Sequence, residues 1–457
     1  MAYQTIYPYT GEVLHEFPNA SDEKLEETLT VAHRLYQQWR QEKPDTRKPV
    51  LHRLATLLRE KRTEMARIMT QDMGKLLTEA AGEVDLCADI ADYYADHGEE
   101  LLQPVNLPSD SGKAYYLKQS TGVIVAVEPW NFPFYQIMRV FAPNFMVGNP
   151  MILKDASSCP ASAQAFADLV LEAGAPVGSL TNLFISYDQV SAAINDPRVA
   201  GVCLTGSERG GAAVAQEAGK ALKKTTLELG GNDAFIVLGD ADWDLLKKVA
   251  PQARLYNAGQ VCTSSKRFIV MDNLYDDFVA MMKEAFSHAK LGDPMDPETV
   301  VAPLSSKGAL EKLTAQVQTA VDHGATVVYG NEPVEGPGFF FKPTILTDIT
   351  EDNPIFDQEL FGPVAVIYKV HSEAEAIALA NKSSYGLGNT VFSSDVAHAK
   401  EVAAQIETGM SWINAGWASL PELPFGGIKN SGYGRELSHL GMNAFVNEHL
   451  IYEPYQN

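Results

Sequence analysis

The chain has 457 residues and carries 36 Lys and Arg against 58 Asp and Glu, a formal charge of −22. That length is about three ordinary domains, enough for two or three packed units with large cores, and the acidic balance repels phosphate backbones and anionic lipid, so nucleic acid and membrane surfaces are excluded as expected partners. No stretch reaches the apolar length of a membrane-spanning helix, and Met1-Ala2-Tyr3-Gln4-Thr5-Ile6-Tyr7-Pro8 has no secretory pattern. Cys87, Cys159, Cys203 and Cys262 form no Cys-x-x-Cys pair, so a cytoplasmic protein with no metal site and no disulfide framework is expected.

The first hundred residues read as mainly helical. Ser21 caps a helix in which Leu25, Leu29, Ala32, Tyr36 and Trp39 recur at helical spacing, and Leu51, Leu54, Leu58, Met65 and Met69 mark a second before Gly74. From Gly122 the pattern changes to short β-rich runs alternating with helices. Val123 to Val127, Met151 to Lys154, Leu183 to Ile185, Val199 to Thr205 and Ala234 to Leu238 read as a parallel sheet with crossover helices. A second series follows at Phe268 to Met271, Thr326 to Tyr329, Val364 to Val370 and Ser411 to Asn414, giving two α/β domains. The segment 103–119 and the C-terminal Leu450-Ile451-Tyr452-Glu453 read either as surface loop and tail or as strands that pair with another subunit.

Four local patterns carry chemistry. Val202-Cys203-Leu204-Thr205-Gly206-Ser207-Glu208-Arg209-Gly210-Gly211 puts a glycine turn between a strand and a helix; its amides and the Ser207 hydroxyl suit a phosphate, or the run is an ordinary βα turn, since it departs from Gly-x-Gly-x-x-Gly. Lys154 ends a strand at the sheet edge where ligands bind in such folds, and serves there as a ribose or phosphate donor or as a solvated cation. Glu228, between Leu227 and Leu229 and before Gly230-Gly231, is a desolvated carboxylate suited to general-base work or to structural hydrogen bonding. Cys262 follows Gly259-Gln260-Val261; alone it is a packing thiol, but beside the Asn131 amide and its own backbone N–H it has the parts of a nucleophile with an oxyanion site.

Six segments together resemble the aldehyde dehydrogenase superfamily: Pro129-Trp130-Asn131-Phe132-Pro133, Leu204-Thr205-Gly206-Ser207, Leu227-Glu228-Leu229-Gly230-Gly231, Gly259-Gln260-Val261-Cys262-Thr263, Glu359-Leu360-Phe361-Gly362-Pro363 and Pro424-Phe425-Gly426-Gly427-Ile428-Lys429-Asn430-Ser431-Gly432. The resemblance implies two doubly wound α/β domains plus a small β oligomerisation element. It places a cofactor-binding domain at 1–102 and 120–228, a catalytic domain at 229–441 and the oligomerisation element at 103–119 and 442–457, in a homodimer or homotetramer.

It further implies that Cys262 attacks an aldehyde, that Asn131 holds the oxyanion and that Glu228 activates water to hydrolyse the thioester. NAD or NADP would be held by Trp130, Lys154, Ser157, Gly206, Ser207, Gly211, Leu229, Glu359 and Phe361. Members favouring NAD often carry a glutamate where this chain has Ser157, so NADP is expected to be preferred, with Asp155 able to restore the repulsion if it points into the site. Arg139 matches an arginine that succinate-semialdehyde dehydrogenases use on the distal carboxylate, with Ser419 adding a hydroxyl. The position equally suits an interdomain salt bridge, and Tyr256 stands where some of those enzymes have a second arginine. Succinate semialdehyde is the leading substrate, uncharged aldehydes are the alternative, and a catalytically silent binding member is the reading from another class.

Overall fold

The computed structural model describes residues 3–456. Met1, Ala2 and Asn457, the outer ends of the N-terminal segment and of the tail read above, lie outside the described residues. A six-stranded sheet runs in the order Gly432–Tyr433, Lys224–Glu228, Val199–Thr205, Val123–Val127, Met151–Lys154, Leu180–Asn182, parallel except for Gly432–Tyr433. A seven-stranded sheet runs Thr326–Tyr329, Thr344–Thr347, Val364–Val370, Arg267–Met271, Ala234–Val237, Gly388–Phe392, Met410–Ile413, with only Thr326–Tyr329 antiparallel. Helices pack on both sheets, as parallel strands with crossover connections require.

Several elements differ from the sequence reading, each for a local reason. Ala234–Val237 lies in the second sheet: Gly230-Gly231 turn the chain out of the first, and the Asp233 carbonyl accepts the Lys266 and Arg267 N–H groups at 3.0 and 3.2 Å, joining it to the next strand. The strand expected at Leu183 to Ile185 pairs three residues earlier. There the Ile185 carbonyl is taken by the Tyr3 hydroxyl at 2.7 Å, and Ser186 opens a helix with a capping box. The second N-terminal helix divides at Lys61 into Lys48–Glu60 and Arg62–Met73, and an unanticipated hairpin, Tyr3–Tyr7 with Glu12–Phe17, precedes both.

The largest core cluster lies between the helix Pro133–Val147, which is buried along its whole length, and the helices Lys48–Glu60, Arg62–Met73 and Leu77–Leu101. That burial fixes the start of Pro133–Val147, where the candidate site begins. The tail strand Val446–Pro454 pairs antiparallel along the whole of Gly112–Ser120, which also pairs with Val105–Leu107, so tail and excursion form one three-stranded sheet. Leu450 and Tyr452 on it are exposed.

Candidate active site

The loop Pro129-Trp130-Asn131-Phe132 joins the strand Val123–Val127 to the helix Pro133–Val147. No side chain of its own caps that helix; instead Glu83 of the helix Leu77–Leu101 accepts the N–H groups of Phe134 and Tyr135 at 2.9 and 3.0 Å. Glu83 is buried and paired with the buried Lys75, whose ammonium lies 3.6 Å from the centre of the Phe132 ring. These contacts satisfy orphan amides at the helix start and hold Asn131 and Phe132 in place.

The thiol loop is built more tightly. The helix Trp243–Leu255 ends in a turn in which Asn257 and Ala258 both take φ of 50°, a strained region for non-glycine residues. The Asn257 amide donates to the Asn131 carbonyl at 2.9 Å and its N–H to Glu79 at 3.1 Å, which offset that strain. Gly259, with φ of 74°, lies against the Gly362 carbonyl where a Cβ would collide, so its smallness serves the approach of two loops rather than space around the thiol. Arg254, fully buried, donates to the carbonyls of Val364 and Leu360, both at 2.6 Å, and to the Ser264 hydroxyl at 2.7 Å. It ties the cysteine loop to the loop carrying Glu359 and Phe361.

Cys262 borders two cavities. One, about 360 Å³, is lined by Trp130, Asn131, Gly206, Ser207, Leu229, Glu359 and Phe361; the other, about 60 Å³, is lined by Phe132, Tyr135, Tyr256, Trp417, Ser419 and Phe425. In the larger, Trp130 meets Phe361 edge to face at 5.7 Å, and Ser207 caps the helix Glu208–Lys220 through the Gly210 N–H. The smaller is an aromatic cage: Phe132 stacks on Tyr256 at 6.3 Å, and Trp417 stands edge-on to both. Its polar lining comprises Glu83, Gln136, Thr263 and the Tyr135 and Ser419 hydroxyls, which lie 2.6 Å apart. Among the described residues no cluster of three His, Cys, Asp or Glu side chains could hold a metal ion.

Burial pushes the Cys262 thiol up to about 12; Arg139 and Lys266 pull it down, while Glu359 and Asp233 add to the rise. Asn131 lies beside it, its amide donating to the Gln260 carbonyl at 3.2 Å. Glu228 is not on the wall of either cavity. Its buried carboxyl has no hydrogen-bond partner on either oxygen among the described residues, and desolvation raises its pKa well above the usual range; Glu436 and Glu128 add to that, and Arg139 and Arg435 oppose it.

Other residues singled out in the sequence lie apart. Lys154 ends its strand buried, its ammonium 5.8 Å from the Tyr3 ring and 5.4 Å from the Tyr187 ring, outside the larger cleft. Ser157 borders a separate recess with Gln4, Ile6, Lys307 and Phe339. Asp155 is buried and accepts the Ala156 N–H at 2.8 Å, with Lys154, Asp72 and Glu83 as its charged neighbours. Gly211 does not reach the cleft: it is buried beneath Leu229, where a Cβ would come within 2.7 Å of that side chain, so it sets helix-to-strand packing.

Arg139 does not reach the cavity expected for it. It is fully buried, pairs with Glu436, donates to the Thr205 hydroxyl at 3.1 Å, and lies 4.5 and 5.1 Å from the centres of the Phe425 and Tyr135 rings. It stands behind the cage in a buried ion pair, not on its wall.

The model of the Aldehyde dehydrogenase family matches residues 1–451. The chain belongs to the aldehyde dehydrogenase family. One curated aldehyde dehydrogenase, the succinate-semialdehyde dehydrogenase [NADP(+)] of Deinococcus radiodurans, is 48% identical over 98% of this chain and 94% of its own length. That of Mycobacterium avium, with the same description, is 42% identical over 99% and 97%. A crystal structure of succinic semialdehyde dehydrogenase from Streptococcus pyogenes in complex with NADP+ superposes with a TM-score of 0.99 at 67% identity, covering 99% of this chain and 100% of that one.

Sequence reasoning missed several residues of this aldehyde dehydrogenase site. Arg254 reads as a helix C-terminal cation, Lys266 as a charge before the apolar run Phe268-Ile269-Val270, and Glu436 as one acid after a glycine-rich turn. Tyr135 sits on a helix buried all round, where no periodicity marks the cavity face.

Proposed function

We propose that the protein oxidises succinate semialdehyde to succinate with NADP as hydride acceptor, NAD serving less well. The observation that carries the reading is Cys262 at the junction of two cavities, one open to a cofactor and one enclosing a short chain. The relatives known as NADP-dependent succinate-semialdehyde dehydrogenases support the same substrate and cofactor.

The residues fit a dinucleotide. Gly206 and Ser207 precede a helix N-terminus, and at Gly230 a Cβ would fall 2.7 Å from Glu359 and 3.0 Å from Glu208, so the bare backbone leaves a cradle. Trp130, Gly206, Ser207, Leu229, Glu359 and Phe361 would hold it on the cleft side. Lys154 and Ser157 would meet a 2′-phosphate as two donors. When bound, NADP accepts the hydride.

Cys262 attacks the aldehyde carbon as thiolate, and the Asn131 amide and Cys262 N–H hold the resulting oxyanion. Glu228, with neither oxygen held, turns toward the sulfur, takes a proton from water and so hydrolyses the thioester. The Tyr135 and Ser419 hydroxyls receive the distal carboxylate, with the Arg139 charge behind the Tyr135 ring. In this reading the six-stranded unit binds cofactor, the seven-stranded unit carries the thiol, and the three-stranded sheet with its exposed Leu450 and Tyr452 joins copies into a homodimer or homotetramer. The four free cysteines support a reducing, cytoplasmic setting.

The five aromatic side chains of the cage, with no cation on its wall, favour a second reading: oxidation of uncharged aldehydes. Specificity constants for succinate semialdehyde and for an uncharged aldehyde of equal length, each with NADP and NAD, separate the two. A preference for the uncharged aldehyde would overturn the first.

A further inference from the structure

Lys266 lies 1% exposed and lines neither cavity, yet its ammonium is bonded at the centre of the site. It donates to the carbonyls of Val261 at 2.8 Å, Cys262 at 2.6 Å and Ser264 at 3.2 Å, and lies 3.2 Å from Glu359 Oε1, which also accepts the Gly231 N–H at 3.1 Å. Three N–H donors thus serve four acceptors. Any hydroxyl that binds Glu359 from the cleft competes for the carboxylate and changes how the ammonium is shared. The Val261 carbonyl belongs to the same peptide as the Cys262 N–H, so an ammonium on that oxygen polarises the amide and strengthens its N–H as a donor.

We propose that Lys266 is a positioning residue that polarises the Val261–Cys262 peptide and couples the occupancy of Glu359 to the nucleophile. The inference rests on the reading of Cys262 as nucleophile and Glu359 as a cofactor ligand. The thiol faces four charged groups, Arg139, Lys266, Glu359 and Asp233, and Lys266 is the one in hydrogen-bond contact with the thiol's own loop. Removing its charge makes the thiolate harder to form; removing the charge of Glu359 makes it easier. The two losses therefore act in opposite directions, which general loosening of the loop would not do.

The test is the rate of Cys262 alkylation by iodoacetamide at one pH near neutrality in the unmodified protein and in its Lys266→Met and Glu359→Gln variants, without cofactor and with saturating NADP+. At that pH the rate follows the thiolate fraction, and it is expected to fall by about tenfold in Lys266→Met and to rise by a similar factor in Glu359→Gln. NADP+ is expected to change the alkylation rate of the unmodified protein and to have much less effect in Lys266→Met. Changes of the same sign, or an unchanged rate in Lys266→Met, would overturn the proposal, as would a cofactor response retained in that variant. If Lys266→Met does not fold, Glu359→Gln alone decides: a faster rate supports the coupling and an unchanged or slower one contradicts it. The cofactor-free measurements use no aldehyde and no NADP+, so their failure is distinguishable from failure of the proposed activity.

Discussion

The Tyr135 and Ser419 hydroxyls lie 2.6 Å apart in the cage that Cys262 borders. They come from distant parts of the chain, one from a buried helix and one from the loop after Met410–Ile413, and they meet on a wall that five aromatic side chains share with Glu83, Gln136 and Thr263. A hydrogen bond to a charged group is worth about 1.5–3 kcal/mol. Replacing both, as Tyr135→Phe with Ser419→Ala, is therefore expected to lower kcat/KM for succinate semialdehyde by about 100-fold or more and to leave an uncharged aldehyde of the same length nearly unaffected. An equal loss on both substrates would remove the pair from carboxylate recognition.

Arg139→Met leaves Glu436 buried without its cation, and breaking a buried pair costs about 3–5 kcal/mol. Denaturant unfolding should show a loss of that size. The accompanying loss of activity is expected to be similar for charged and uncharged aldehydes, because the guanidinium is not on the cavity wall; a loss confined to succinate semialdehyde would restore the direct contact.

Ser157→Glu introduces a carboxylate at the position proposed to meet the 2′-phosphate. Like-charge juxtaposition costs several kcal/mol, so the NADP specificity constant should fall by about 100-fold or more while that for NAD is kept or rises. Unchanged discrimination in the cofactor kinetics would mean that the phosphate lies elsewhere.

Burial raises Glu79 to about 7, from 4.5, and it accepts the Asn257 N–H that helps set Asn131. Between those values the folded state binds more protons than the unfolded chain, so stability falls as pH rises through that window and the loss is complete above about 7. The contribution is about 3 kcal/mol. Thermal unfolding of Glu79→Gln, which keeps the acceptor oxygen, is expected to lose stability less steeply than the unmodified protein over that range. Parallel pH curves would assign the slope to Asp72 and Asp233, whose pKa values burial also raises, to about 6 and about 7.

What the sequence made legible was chemistry carried by short motifs with backbone consequences. Cys262, Asn131, Trp130, Ser207, Glu359 and Phe361 do converge, because glycine turns and strand ends put them on one cleft. The buried supports were not legible. Arg254, Lys266 and Glu436 look like surface charges, and only tertiary packing turns Arg254 and Lys266 inward on carbonyls and Glu436 onto Arg139. Arg139 shows the converse: the family resemblance suggested a ligand contact and equally allowed a salt bridge, and Glu436, nearly three hundred positions away, takes its charge. The position of Ala234–Val237 escaped a linear reading because membership of one sheet or the other depends on the Gly230-Gly231 turn.

Covalent catalysis by Cys262 is the central claim, and Glu228→Gln makes it directly observable. With water activation removed, acylation should outrun hydrolysis, so one equivalent of reduced NADP forms quickly and steady turnover falls by about 10²–10⁴-fold. The decisive measurement is the intact mass and peptide map of that variant mixed with NADP+ and succinate semialdehyde. A single succinyl group on Cys262, formed in step with reduced cofactor, is the predicted result; reduced cofactor without an adduct on Cys262, or an adduct on another residue, would contradict it.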